Sequence, residues 1–159
     1  MKRLRTLSIF CISIAVILAA TLAMLAFEGN IRTFVRIGSV EIPVEVARTP
    51  AEAQKGLSGR ASLDTRGGML FIFPIAAKHS FWMPDMHFPI DIIWINDGMV
   101  VDVSENVSNE FDPNSPIFYT PSVPAQYVLE VNAGFALSRG IKIGDPVMFS
   151  RFIETWPSK

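Results

Sequence analysis

The chain has 159 residues, long enough for one domain with a real core, and a formal net charge of −1. Its one cysteine is Cys11, so residues 29–159 hold no disulfide, no thiolate metal site and no thiol nucleophile. Setting aside residues 1–28 removes three of the 14 basic residues and one of the 15 acidic ones, which leaves eleven against fourteen, a net of −3 and no basic stripe to favour nucleic acid as a partner.

Lys2, Arg3 and Arg5 precede an apolar run, LSIFCISIAVILAATLAMLAF, from Leu7 to Phe27. A helix of 20 such residues covers roughly 30 Å, enough to span a bilayer. The run also exceeds the roughly 7–15-residue core of a signal peptide. Cleavage after Ala23 or Ala26 fits the small-x-small rule poorly, so residues 1–28 read equally well as a cleaved signal peptide or a retained membrane anchor. Either way the basic end stays in the cytoplasm. Residues 29–159 are then exported as one periplasmic or other extracytoplasmic domain, free or tethered to the membrane by residues 7–27.

Downstream, RTFVRIGSVEIPVEVART alternates apolar and polar residues around Gly38-Ser39 and predicts a β-hairpin. TPAEAQKGLSG follows with helix start signals: Thr49 as cap, Pro50 in the first turn and Glu52 completing a capping box. Gly56 or Gly59 ends it. GMLFIF (68–73) predicts a buried strand closed by Pro74, and SFWM (80–83) a second short strand closed by Pro84. In IDIIWI (90–95), Ile90, Ile92 and Trp94 share one face while Ile93 and Ile95 share the other, which predicts a strand covered on both sides. Asn96-Asp97-Gly98 turns it into MVVDVSEN.

Residues 108–125 carry four prolines and predict a long loop, either a lid bearing Phe118 and Tyr119 or a plain connection. QYVLEVN is the next strand, AGFALSRG a single helical turn ending at Gly140, and DPVMFSRF the last strand, entered through a turn at Gly144 and Asp145. The total is about eight short strands with one or two short helices. Such a pattern predicts a mainly β fold, a compact antiparallel β-barrel or sandwich preceded by an N-terminal hydrophobic helix.

GLSGR (56–60), GMLFIF (68–73), FWM (81–83), PIDIIWI (89–95), VLEVNAG (128–134) and GIKIGD (140–145) occur in this order. Together they closely resemble the small bacterial and archaeal proteins grouped as domain of unknown function 192, over residues 40–150. The resemblance implies a β-rich, barrel-like single domain, often exported, with no established activity. It also leads one to expect Lys-Asn-Thr after FWM, where this chain has Pro84-Asp85-Met86.

Candidate chemistry centres on two carboxyl groups. Asp91 opens the doubly covered strand, where a carboxylate needs hydrogen bonds or a partner such as Arg60 or Arg139. Its plainest role is to tie the strand start to nearby backbone N–H groups. Glu130 lies on a mixed face with Val128 and Asn132, so it lines a barrel mouth or faces water. Trp82 reads first as core and second as a pocket wall.

A ligand site is expected where Arg60, Trp82, Asp91 and Glu130 converge, and binding of a small molecule or an envelope protein is the expected function. Two alternatives stand beside it. One is an envelope enzyme using the carboxyl groups, although no catalytic residue is assignable and Ser58, Ser80 and Ser138 have no nucleophile elbow. The other is a copper site of His79, Met83, Met86 and His87, whose imidazole and thioether donors suit the soft ion; otherwise no cofactor is expected.

Overall fold

The computed structural model describes residues 33–150 and Ile153. The expected N-terminal hydrophobic helix, the boundary at residue 28 and the end of the last expected strand lie outside them. No described helix is long and apolar enough to cross a membrane.

The hairpin at Gly38-Ser39 forms as its alternation requires, joining β1 (Phe34–Ile37) to β2 (Val40–Ala47). Helix α1 (Pro50–Lys55) follows with the full capping box. The Glu52 backbone N–H donates to Thr49 Oγ1 at 3.1 Å, and the Thr49 backbone N–H donates to Glu52 Oε2 at 2.9 Å. The helix and the loop behind it carry the chain over to β3 (Gly68–Ala77), which pairs with β2 in parallel. Every other pairing is antiparallel: β4 (Ile90–Asn96), β5 (Met99–Val107), β6 (Ala125–Asn132) and β7 (Val147–Phe149) complete a seven-stranded sheet in the order β5-β4-β6-β3-β2-β1-β7. Helix α2 (Phe135–Arg139) sits between β6 and β7.

The sheet curls into a half-barrel whose two edges meet at one end. The Val100 N–H donates to the Asp145 carbonyl at 3.0 Å, the Gly144 N–H to the Val100 carbonyl at 2.8 Å, and the Val147 N–H to the Gly98 carbonyl at 2.7 Å. Inside the curl lie Val35, Ile42, Leu70, Ile93, Ile95, Leu129 and Val131, closed off by Phe135 and Ala136 of α2. A second core covers the outer face, where Leu57, Leu63, Met83 and Met86 pack on Phe71, Ile92, Trp94 and Val128. β4 is therefore buried on both sides, as its apolar run requires.

Two expected strand features are corrected. Pro74 does not close β3; the strand runs on to Ala77 through a bulge, where Ile72 pairs with Tyr127 and Ala77 with Ala125. A proline is tolerated there because the bulge asks for no ladder hydrogen bond. SFWM is not a strand of the sheet but an isolated bridge in which Phe81 and Tyr119 exchange hydrogen bonds of 2.8 and 2.9 Å. With that segment removed, seven strands remain of the eight expected.

Asp91 joins three elements. Its Oδ1 accepts from the N–H groups of Asn106 (2.8 Å) and Gly134 (3.1 Å), and its Oδ2 from the N–H of Ala136 (2.9 Å). Asn106 sits at positive φ where the β4–β5 register slips between Ile90 and Ile92, so its N–H is freed from the ladder. Gly134, at the head of α2, has no side chain to cap with. A carboxyl from another strand serves both, and it is fully buried. The alternative partner Arg60 is engaged with Glu45 instead, and the expected backbone tie is what forms.

Asp91→Ala is expected to destabilise the fold by roughly 3–5 kcal/mol, since three N–H groups lose one acceptor, and Asp91→Asn by about half as much. Urea unfolding of the full chain measures both, and a loss below about 1 kcal/mol for Asp91→Ala would show that the three groups find other partners.

Candidate functional site

Alternation along β6 sends Leu129 and Val131 into the curl and Val128 and Glu130 to the outer face. Glu130 pairs in register with Met69 of β3 and Ile92 of β4, so its carboxyl rises between apolar neighbours. Close approach of β3 depends on Gly68, where a Cβ would stand 2.7 Å from the Glu130 carbonyl oxygen.

Above Glu130 is a pocket of about 250 Å³. The end of α1 and the turn after it, Ala53 to Ser58, form one wall; Phe71 and Phe73 of β3 and the segment from His79 to Met86 form the others. His79 is held by stacking on Phe73, with ring centroids 3.6 Å apart, and its Nε2 lies 3.3 Å from the Ile75 carbonyl. Phe81 makes edge contacts with Phe71, Phe73 and Trp94. The Ser58 hydroxyl donates to the Pro84 carbonyl at 2.8 Å, pinning the α1 wall to the opposite one.

Glu130 is 6% exposed; its carboxyl has no hydrogen-bond or ion-pair partner among the described residues, and its oxygens are not sealed in the protein but open onto the pocket. Burial alone pushes its pKa up to about 8, because the charged form has lost water and gained nothing. At neutral pH the floor of the pocket is therefore mostly a neutral carboxylic acid, with one proton to donate and free acceptor capacity.

The structure brings together some of the expected site residues and separates others. Trp82 and Glu130 line the pocket, and so do His79, Met83 and Met86. Arg60 does not: it forms a two-point ion pair with Glu45 at 2.7 and 2.8 Å, and its hydrogen bonds hold the Glu45 carboxyl below the usual range. Asp91 is one residue out of phase with Ile92, the partner of Glu130, and so belongs to the other face of the sheet. His87 turns toward Asp85, 3.3 Å away. Of the four residues considered for copper, three share the pocket, and no group of three or more His, Cys, Asp or Glu among the described residues is arranged to hold a metal.

Trp82 is a rim residue rather than core. It is 49% exposed, stacked on Phe118 at 5.9 Å and edge-on to Phe111 at 5.6 Å. The buried tryptophan is Trp94, whose indole N–H donates to Ser104 at 3.2 Å. Residues 108–124 thus form a strap, held by the Phe81–Tyr119 bridge, by the Ser122 N–H on Asp102 at 2.7 Å and by contact of Ser80 with Thr120 at 3.2 Å. Pocket residues that sequence reasoning passed over are Phe71, Phe73 and the α1 end. Apolar residues there signal only core, and nothing local shows that the core opens at that place.

The model of the family described as "Uncharacterized ACR", domain of unknown function 192, matches residues 33–149. The chain belongs to this family. Two solved structures are similar. A protein of unknown function from Novosphingobium aromaticivorans DSM 12444 is 32% identical, with a TM-score of 0.65 over 72% of this chain and 83% of its own. A protein from Sinorhizobium meliloti 1021, provisionally described as a transcription regulator, is 29% identical, with a TM-score of 0.66 over 74% and 93%. No curated protein matches the chain at a significant level.

Pro84-Asp85-Met86 stands where the resemblance led one to expect Lys-Asn-Thr. Asp85 has φ +55°, a conformation that Asn and Asp tolerate best among residues with a Cβ, so position 85 serves a turn. Pro84 and Met86 line the pocket, and Met86 is buried, which makes the wall apolar where Lys and Thr would make it polar.

Glu130 carries a sign-defined pH prediction. Its folded pKa lies above the ordinary value of 4.5, so its protonated form favours the fold fully below about pH 4.5, and that contribution is lost as pH rises toward about 8. The span is worth roughly 4–5 kcal/mol. Glu130→Gln is expected to flatten that slope and to exceed the parent in stability above about pH 8. Denaturant unfolding at about pH 5 and pH 8 checks this, and the same slope in both chains would place the titrating group elsewhere.

Proposed function

We propose that this domain is a binding module whose ligand site is the Glu130 pocket, and that it works outside the cytoplasmic membrane on a small molecule of the cell envelope. The observation that carries the reading is one largely buried carboxyl, without a protein partner among the described residues and open only to the pocket it lines, beside aromatic and methionine walls. Unpaired buried polar groups are costly and uncommon in native folds. A ligand that supplies the missing hydrogen bonds recovers that cost. The size of the pocket, just below the usual range of roughly 300–1,000 Å³, suits a molecule of few heavy atoms or the end of a longer one. Export is expected from the apolar run at residues 7–27, and the alternative of an envelope protein as partner is favoured less, because the feature left unsatisfied lies inside a concavity.

A second reading, an enzyme of acid–base type, draws on the Glu130 proton being held to about 8, close to working pH, with His79 on the same pocket. It predicts turnover, not only retention, of whatever binds.

The test is native mass spectrometry and ligand-observed NMR of the full-length chain against a library of small neutral, anionic and cationic compounds, with copper as one arm. Binding is expected to disappear in Ala53→Trp, which fills the pocket from α1, and to weaken about tenfold in Trp82→Ala, in line with the loss of one aromatic contact. Arg60→Ala should bind as the parent does and lose less than about 1 kcal/mol of stability, since its ion pair is exposed. Binding that survives Ala53→Trp would overturn the pocket as the site.

A further inference from the structure

The pocket also carries information about charge. Phe71, Phe73, Phe81, Trp82, Met83 and Met86 line it together with one acidic residue, Glu130. Ring faces and thioethers are electron-rich and polarisable, and they attract a cation without holding it to one geometry. Donors on the pocket include Gln54 and Lys55 at the exposed end of α1 and His79, which is stacked on Phe73. Among the described residues the one acid lining the pocket is Glu130, which makes no ion pair with Lys55 or any other described cation. A neutral polyol would need several polar side chains deep in the pocket; Ser58 and Ser80 are already engaged, by the Pro84 carbonyl and by Thr120, and Gln54 and Lys55 stand at the exposed end of α1.

From this arrangement we infer that the ligand is a compact organic ammonium compound, its cationic head seated among the aromatic and thioether walls and ion-paired with Glu130. The inference rests on the pocket being the binding site and goes further by naming the charge and class of what enters. Pairing requires the Glu130 proton to leave for solvent as the ammonium group arrives; no covalent bond changes. Two other titratable side chains line the pocket, Lys55 on α1 and His79 on the segment after β3, while β3 and β4 present Met69 and Ile92 beside Glu130. Lys55 is exposed at the end of α1, and its charge opposes the ligand from that side.

The experiment compares choline with 3,3-dimethyl-1-butanol, which has the same shape but a carbon in place of the charged nitrogen. Binding of each to the full-length chain is followed by NMR and calorimetry. Choline is expected to bind at least tenfold more tightly than the neutral analogue. Because choline keeps its charge at every pH, its affinity should rise as pH passes from about 6 to about 8 while that of the analogue stays level. Glu130→Gln should erase both the preference and the pH dependence and leave the neutral analogue unaffected, a control that the variant is folded. Lys55→Gln should tighten choline binding about twofold.

Equal affinity for the two compounds, with both lost in Ala53→Trp, would overturn the ammonium inference and leave the pocket as the binding site. A preference for choline that persists in Glu130→Gln would overturn the ion pair. Binding of neither compound would also overturn the inference, and the wider library would then decide separately whether the pocket takes anything.

Discussion

Three backbone N–H groups converge on the carboxyl of Asp91, and much of the architecture follows from that convergence. The groups come from a bulge in β5, from the glycine ahead of α2 and from the first turn of α2 itself. None has a partner within its own element. Without Asp91 the bulge would leave one part-buried donor unpaired, and the head of α2 one part-buried and one buried donor. With it, α2 is drawn over the open mouth of the curl, where Phe135 and Ala136 complete the inner core. The carboxyl also lies where the partial positive charge of a helix start stabilises it. One side chain therefore sets the end of β4, the shape of β5 and the lid on the inner core.

Glu130 forms the contrast. It sits one strand away, nearly as buried, on the opposite face of the same sheet. The fold surrounds Asp91 with donors and surrounds Glu130 with Met69, Ile92 and a cavity. The first acid is satisfied by the structure and adds to its stability. The second is a standing cost that falls away only when it holds a proton or meets a ligand. Two buried acids on one sheet thus do different work, and what separates them is which neighbours the register provides.

The outer face explains why a cavity is there. A half-barrel with a filled interior needs a second layer wherever its outside is apolar, and here that layer is made from irregular chain: the turn after α1, the segment 79–88 and the strap 108–124. Irregular chain packs less completely than a helix face. The gap falls between the end of α1 and the His79–Met86 segment, over Glu130. Trp82, Phe111 and Phe118 stack at its rim, so the strap supports the mouth of the pocket and is pinned in place by its own backbone bonds.

Local chemistry was legible in the linear chain. The capping box at Thr49, the hairpins at Gly38 and Asn96-Asp97-Gly98 and the strand covered on both faces each depend on residues within a few positions of one another, and each formed as expected. So did the tie of Asp91 to backbone N–H groups, since a carboxyl opening a doubly buried strand has few other ways to be satisfied. Glu130, by contrast, expected at a barrel mouth or facing water, is buried on the outer face of the sheet. Partners far apart in the chain were not legible. Arg60 chose Glu45 over Asp91 because the parallel pairing of β2 with β3 sets how the intervening chain returns, and no pattern near either residue encodes that. Trp82 went to the rim because the stretch around it became one bridge rather than a strand, a result of how residues 108–124 return across it. The sequence alone determined the fold family, the elements and the candidate acids. Tertiary structure decided which acid kept no partner, because that depends on every residue the register brings near it and on none of its neighbours in the chain.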